Sequence, residues 1–288
     1  MIRVGTRGSA LALAQARWVA ERLLGETKLI TVTTRGDRSP DGDKSRWVSE
    51  LEQALLEDRI DVAVHSAKDV PAELAEGLAV LAIPTRADAR DVICGAGRLD
   101  ELQSGARIGT SSLRRMAQLK ARREDLDVVP VRGNVDTRLG KLADGGIDAL
   151  VLAAAGLDRL GREAEAGGVL EELVPAAGQG ALLIEGQPRL VGQVGHLSDP
   201  VTEACVTAER ELVHALGASC NTPVGAHARP LDSGEIELTG WAGLPDGSEW
   251  ISDRLCGRPT ELGGTVAERM LAVGAGELLA RAERKVEA

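Results

Sequence analysis

A short polar segment follows an apolar run in residues 61–71, whose sequence is DVAVHSAKDVP. The apolar run predicts a buried strand, and the proline that closes the segment prevents a simple helical continuation. An open α/β sheet presents its site at the carboxyl ends of its strands, so polar groups here are candidates for binding and proton transfer. An ordinary solvated turn is the alternative for this segment alone. The candidate side chains are His65, Ser66, Lys68 and Asp69.

A second candidate site follows the first predicted strand, residues 2–6, where the chain continues with Arg7, Gly8 and Ser9. Ser9 can cap the helix that comes next. A strand, a glycine-containing turn and a helix amino terminus together form a natural anion site, to which Arg7 adds positive charge. A plain capped helix is the alternative interpretation.

Paired arginines follow another predicted strand, residues 107–110. Ser111 or Ser112 can cap the next helix, and Arg114 and Arg115 then fall in its first turn. The helix dipole disfavours cations at that end. An anion between the two guanidinium groups would explain them, because the planar fork of arginine binds carboxylates bidentately.

Two more predicted strands end in arginine-containing segments. Residues 128–131 precede Arg132 and Arg138, and residues 148–153 precede Arg159. Each arginine alone is explained by solvent exposure. Together they predict a basic edge of the sheet in an acidic protein, which favours a polycarboxylate or phosphate ligand.

Strands that alternate with helices predict a parallel or mixed α/β sheet. A polar segment at residues 35–46 has little to bury and is interpreted as a mobile loop or lid, with a solvated connector as the alternative. A domain boundary is predicted at residues 85–90. The other elements of this part are strands at 29–34, 78–83 and 91–94 and a helix with Val48, Leu51 and Leu55 on one face.

Composition limits the remaining possibilities. At roughly 150 residues per domain, 288 residues predict two or three domains, with an aliphatic core because Phe and Tyr are absent. The net charge of −10 and the lack of a basic run argue against nucleic-acid or membrane binding. The four cysteines form no CxxC pair and no metal-type spacing with histidine. We expect a cytoplasmic protein with reduced thiols and no metal, and we find no internal sequence repeat.

Five motifs together resemble the porphobilinogen deaminases, also called hydroxymethylbilane synthases. They occur in the order of that family and cover almost the whole chain. The motifs are VGTRGSALAL at 4–13, HSAKDVP at 65–71, GTSSLRR at 109–115, VRGNVDTRL at 131–139 and PAAGQGA at 175–181.

The resemblance implies an α/β fold with two periplasmic-binding-protein-like α/β domains, an interdomain cleft and a small α+β C-terminal domain. The first domain would comprise residues 1–86 and 178–198, the second 87–177 and the third 199–288. The additional elements expected are a returning strand at 182–185, helices at 202–216 and 266–281, and strands at 235–241 and 251–256.

The resemblance also implies a dipyrromethane cofactor, held by a thioether bond to Cys220. The neighbours of this residue in the sequence GASCNTP predict a loop, in which a thiolate can react. The other three cysteines lie in apolar segments and are expected to be structural.

The activity implied is that of a transferase that condenses four porphobilinogen molecules with loss of ammonia onto this primer and then releases the linear tetrapyrrole by hydrolysis. Asp69 would be the catalytic carboxylate, stabilising the developing cation and moving protons. In the lid, the usual KGLF-like run is replaced by KSRW, from Lys44 to Trp47. The cofactor-binding residues implied are Ser9, Lys68, Thr110, Ser111, Ser112, Arg114, Arg115, Arg132, Arg138 and Gln179, and the substrate-binding residues are Arg7, Gln15 and Arg159.

Two other classes of protein stay open. A non-catalytic anion sensor with a binding-protein fold would use the arginines without needing Cys220 or Asp69. A pyridoxal-phosphate enzyme would use Lys68 as the Schiff base and the TSSLRR segment as its phosphate cup. The partner expected is the small molecule porphobilinogen, bound by a monomer without nucleic acid or membrane.

Overall fold

The computed structural model describes residues 1–32, 45–218 and 222–287. Within them the strands are β1 Ile2–Thr6, β2 Thr27–Thr31, β3 Val62–Ser66, β4 Ala79–Ala82, β5 Asp91–Cys94, β6 Arg107–Gly109, β7 Asp127–Val129, β8 Ala149–Ala153, β9 Gly168–Leu170, β10 Leu182–Gly186, β11 Val224–Pro230, β12 Ile236–Gly243 and β13 Trp250–Gly257. The helices are α1 Ala10–Ala20, α2 Ser45–Leu56, α3 Leu113–Arg122, α4 Val135–Ala143, α5 Ala154–Asp158, α6 Val191–Val194, α7 Pro200–Ala215, α8 Pro259–Ala272 and α9 Ala275–Glu287.

The chain forms two compact units. Unit 1 comprises Met1–Ala87 and Gly180–Glu203, and unit 2 comprises Asp88–Gln179 and Ala204–Ala288. Each unit contains a mixed sheet with helices, and unit 2 also contains a small C-terminal sheet. The predicted α/β fold class is therefore confirmed. The separation of residues 199–288 as a third domain stays a prediction.

The sheet of unit 1 has the strand order β2-β1-β3-β10-β4. Its first three strands are parallel, and β10 runs antiparallel to both of its neighbours. The inner strands β3 and β10 are buried almost throughout, and helices cover both faces of β3. Val62 and Val64 pack with residues of α1, whereas Ala63 packs with residues of α2. Strand β3, which leads into the first candidate site, is thus packed against a helix on each face.

The mixed sheet of unit 2 repeats this topology, with the order β7-β6-β8-β5-β9. Here β7, β6 and β8 are parallel, and β5 is antiparallel to β8 and β9. The fourth strand is β10 in the first sheet and β5 in the second, and both run antiparallel to their neighbours. Each is also the first strand after the chain passes from one unit to the other. The repeat exists in topology although none was found in the sequence. Strand ends in one sheet therefore have counterparts in the other.

The C-terminal sheet is an antiparallel meander in the order β11-β12-β13. Leu212 of α7, Leu238 of β12 and Val266 of α8 share its fully buried core. The single helix expected at 266–281 is wrong. The chain breaks between α8 and α9 at Gly274, whose φ of +100° lies in the left-handed region that ends helices.

Other differences from the expected elements are small. The strand expected at 29–34 begins and ends earlier, as β2, and the strand expected at 128–131 is the shorter β7. Strands β9 and β11 were missed, because β9 is very short and β11 contains alanine, glycine and proline, which are poor strand formers. No helix in the described part of the chain is long and apolar enough to cross a membrane.

Candidate functional site

In unit 1, the turn after β1 and the turn after β3 meet at the same edge of the sheet. Ser9 caps α1, since its Oγ accepts a hydrogen bond from Ala12 N at 3.3 Å. The buried side chain of Gln15, on the same helix, donates from Nε2 to Ser66 Oγ at 2.9 Å. This bond joins two of the segments that the sequence singled out.

The segment after β3 forms a 3-10 turn, Ala67–Asp69. Ala67 N donates to the Ala181 carbonyl at 3.0 Å, which fixes the start of the turn to the returning chain. Ala67 and Val70 are buried, whereas Lys68 and Asp69 are half-buried. The turn therefore anchors its apolar residues in the core and leaves its charged pair accessible.

In unit 2, the helix that follows β6 begins as the sequence predicts. Ser112 is the N-cap of α3, and its Oγ accepts from Arg115 N at 3.4 Å. Thr110 is fully buried, and its Oγ1 accepts from Ser112 N at 3.2 Å. Ser111 is exposed. The hydroxyl groups thus shape the helix start, and one of them faces solvent.

The anion expected between the two arginines of this helix is Asp91, at the start of β5. Arg114 Nη1 donates to Asp91 Oδ2 and Arg115 Nη2 donates to Asp91 Oδ1, both at 2.8 Å. Gln179 Nε2 donates to Asp91 Oδ1, also at 2.8 Å. The Asp91 side chain is 0% exposed, and the arginines are 5% and 6% exposed. Sequence reasoning missed Asp91, although an acidic residue that opens an apolar strand was a usable signal.

Two buried cations share this single carboxylate. Burial alone would raise the pKa of Asp91, but the charges of Arg114 and Arg115 outweigh it and hold the pKa below its usual range. Burial lowers the pKa of Arg115, and the attraction of Asp91 does not fully offset that effect. These three described side chains together carry a formal charge of +1.

The segment after β7 turns at Gly133, whose φ of +119° permits the left-handed conformation. Asn134 caps α4, accepting at Oδ1 from Thr137 N at 2.8 Å. Arg138 is half-buried, and its Nε donates to the Gly133 carbonyl at 2.8 Å. Arg132 is exposed. Both arginines follow a strand that is parallel to β6, so they lie at the edge where α3 begins.

Arg159 ends α5, the helix that follows β8. Burial lowers the pKa of its guanidinium to about 10, although the nearby Asp158 acts in the opposite direction. Burial therefore raises the free energy of the charged form of Arg159, and an anionic ligand beside it would lower that free energy. The three parallel strands of unit 2 thus all end near arginines, as the sequence predicted.

The buried network predicts a large stability loss for Asp91→Asn. An amide leaves both guanidinium groups without a charge partner, and breaking a buried pair costs about 3–5 kcal/mol in the free energy of unfolding. The control is Asp88→Asn, because Asp88 pairs with Arg90 at a half-exposed site where pairs contribute about 0–1 kcal/mol. Urea denaturation of both variants measures the difference. Equal losses would contradict the central role of Asp91.

The remaining candidates lie partly beyond the described residues. Cys220 and Lys44 fall outside them, and nothing is described of the Trp47 side chain. Cys94 and Cys205 are buried, and burial raises the pKa of the Cys94 thiol to about 11, as expected of structural cysteines. The expectation for Cys256 is wrong, because it is exposed on the edge strand β13. In the described part of the chain, no group of three or more His, Cys, Asp or Glu is placed to hold a metal ion.

Comparison with known proteins gives a consistent result. The family model "Porphobilinogen deaminase, dipyromethane cofactor binding domain" matches residues 2–189, and the model "Porphobilinogen deaminase, C-terminal domain" matches residues 203–272. The BvgS VFT2 domain of Bordetella pertussis is a solved structure with 16% identity, covering 67% of this chain and 84% of its own, at a TM-score of 0.41. This is a loose likeness from which we draw no conclusion.

Curated relatives cover nearly the full length of the chain. The porphobilinogen deaminase of Brevibacillus brevis is 44% identical, over 99% of this chain and 98% of its own. The porphobilinogen deaminase of Deinococcus deserti is 46% identical, over 96% of this chain and 97% of its own. Identity at this level over whole chains, together with both family models, shows that the chain belongs to the porphobilinogen deaminase family.

Proposed function

We propose that this protein is a hydroxymethylbilane synthase, a transferase of tetrapyrrole biosynthesis that joins four porphobilinogen molecules head to tail. The observation that carries the proposal is the full-length identity to relatives named porphobilinogen deaminase. The geometry supports it independently, since the arginines collect at one sheet edge of a protein with a net charge of −10. A cytoplasmic location and a monomeric state belong to the same proposal.

The residues fit a dipyrromethane group that carries several carboxylates. Two features support this assignment: the buried cluster around Asp91 contains two guanidinium groups and one carboxylate, and burial lowers the pKa of Arg159, whose charged form an anionic ligand would stabilise. When bound at Cys220, the group supplies a primer with a free pyrrole carbon for chain growth. We assign its carboxylates to Ser9, Lys68, Thr110, Ser111, Ser112, Arg114, Arg115, Arg132, Arg138 and Gln179.

Asp69 is assigned the proton transfers. Its half-buried position in the turn after β3 leaves the carboxylate accessible, whereas the backbone of the turn is fixed to Ala181. A fixed carboxylate stabilises positive charge that develops on a substrate nitrogen and can accept or return a proton there. Arg7, Gln15 and Arg159 are assigned to the substrate. The bond from Gln15 to Ser66 supports this for unit 1, since it aligns the Arg7 segment with the turn.

The direct test is a product assay with purified protein and porphobilinogen. A hydroxymethylbilane synthase releases one ammonia for each porphobilinogen consumed and accumulates a linear tetrapyrrole. An anion sensor of the same fold would bind porphobilinogen without releasing ammonia. A pyridoxal-phosphate enzyme would instead carry a chromophore that borohydride fixes to Lys68. Binding without ammonia release would overturn the proposal.

Arg114→Leu and Arg115→Leu are each expected to reduce both the cofactor content and the affinity for porphobilinogen. Each variant loses a charge-assisted contact worth about 1.5–3 kcal/mol and the local excess of positive charge. The control is Arg107→Leu, an exposed arginine at the opposite end of the strand that leads into α3. Intact mass measures the cofactor content and KM the affinity. Full cofactor with unchanged KM in both variants would refute the anion-binding role.

A further inference from the structure

Three ionisable side chains on β3, β10 and α2 of unit 1 have no part in the chemistry assigned so far. Glu185 on β10 has a side chain that is 0% exposed, and His65 on β3 is 6% exposed. His65 Nε2 lies 2.9 Å from Glu185 Oε2. The two atoms are in contact, although their geometry is not that of a hydrogen bond.

Glu52 on α2 completes the cluster. Burial raises the pKa of its carboxyl, and the neighbouring Glu185 adds to that effect while His65 opposes it. Glu52 Oε1 also accepts from the backbone N–H of Ala75 at 3.0 Å. Three elements and one loop are joined through these side chains.

The position of Asp69 in the sequence gives the cluster its significance. Asp69 lies between His65, which contacts Glu185, and Ala75, whose N–H is held by Glu52. The same pair of carboxyl groups therefore anchors both ends of the segment that carries the catalytic carboxylate. We propose that Glu52, Glu185 and His65 form a clamp that fixes the Asp69 turn, and that all three are positioning residues for the reaction.

A role in stability alone explains the cluster less well. Buried ionisable groups are expensive to desolvate, and apolar residues of similar volume often stabilise a core at least as much. Directional polar contacts differ from apolar packing because they fix where a loop lies. Displacing a catalytic group by about 1 Å can reduce a rate by ~10²-fold. The clamp should therefore affect kcat far more than substrate binding.

The decisive comparison is Glu52→Met with Glu52→Gln. Methionine fills a similar volume but cannot accept a hydrogen bond from Ala75 N, whereas glutamine keeps a side-chain oxygen that can accept it. We expect Glu52→Met to lower kcat about 10- to 100-fold with little change in KM or in the mass of bound cofactor. Glu52→Gln should restore most of the lost rate. Glu57→Met, at an exposed site just beyond the same helix, is the matched control and should behave as wild type.

Hydrogen exchange supplies a second measurement that does not depend on activity. The Ala75 amide should be protected in the wild type and in Glu52→Gln, and it should exchange faster in Glu52→Met. Unchanged kcat in Glu52→Met, or equal losses in the methionine and glutamine variants, would overturn the clamp. This proposal rests on the proposed function for its kinetic readout. If wild-type protein released no ammonia, that function would fail, and the exchange of Ala75 would still decide whether the clamp exists.

Discussion

Replacing Cys220 with serine should yield a protein whose denatured mass equals that of its bare sequence and which has no turnover. A hydroxyl is a far poorer nucleophile than a thiolate at neutral pH, so the thioether to the dipyrromethane should not form. The wild-type chain should instead be heavier by two joined pyrrole units, because a thioether survives denaturation. Adding porphobilinogen to the wild type should produce a ladder of species, each one pyrrole unit heavier than the last. Intact-mass measurement gives the mass of the variant, the mass of the wild type and the ladder, and ammonia release measures turnover.

Serine variants of the other cysteines are the controls for this experiment. Cys256 is the most informative of them, since it is exposed and thus accessible to reagents, unlike the buried Cys94 and Cys205. All three variants should keep the adduct. If the adduct were lost from Cys256→Ser but kept in Cys220→Ser, the attachment site would be Cys256 and not Cys220. A fully active wild type with the bare sequence mass would remove covalent attachment from the mechanism.

Asp69→Asn should lose turnover by about 10²–10³-fold while the fold stays intact. The amide keeps the size of the side chain but can neither stabilise a cation by charge nor pass a proton. Asp69→Glu should keep more activity than Asp69→Asn, because it retains the carboxylate at a displaced position. The rate of ammonia release under saturating porphobilinogen measures the loss.

The matched control is Asp61→Asn, just before the amino end of the strand whose carboxyl end leads to Asp69. Asp61 pairs with Arg3, and that contact lowers the pKa of the Asp61 carboxyl. We therefore expect Asp61 to contribute to stability and not to catalysis. Its loss should affect stability and leave the rate per folded molecule near that of the wild type. If Asp69→Asn turned over as fast as Asp61→Asn, the catalytic carboxylate would have to be sought elsewhere.

Local signals in the sequence predicted the parts of the site that are built locally. Strands β1 and β5 were predicted to the residue, because each is a short apolar run bounded by polar or glycine-containing turns. Ser9 and Ser112 were identified as helix caps for the same reason, since a cap acts only on the next few residues. The family motifs then supplied the roles that local chemistry could not assign.

Contacts between distant residues were the part that the sequence did not reveal. Asp91 and Arg114 meet only after β5 has been inserted beside β8, which depends on the order of strands in the sheet. The cluster of Glu52 with Glu185 likewise depends on the return of β10 to the first sheet. A buried carboxylate has the same local sequence signature as an exposed one. The order of strands in the sheets therefore determines which acidic residues are paired inside the protein.

The late return of β10 also has a consequence for how the chain folds as it is synthesised. In the first sheet β10 lies between β3 and β4, and it is the sole neighbour of the edge strand β4 among the described strands. The mixed sheet of unit 2, in contrast, is built from strands that are contiguous along the chain between Asp91 and Leu170. That sheet can assemble on the ribosome before the sheet that precedes it in sequence is complete. Until Gly186 has emerged, β3 lacks its neighbour on one side and presents an unpaired edge of apolar residues. An unpaired edge of this kind is prone to aggregation, so the strand that leads to the Asp69 turn is the exposed point of the nascent chain.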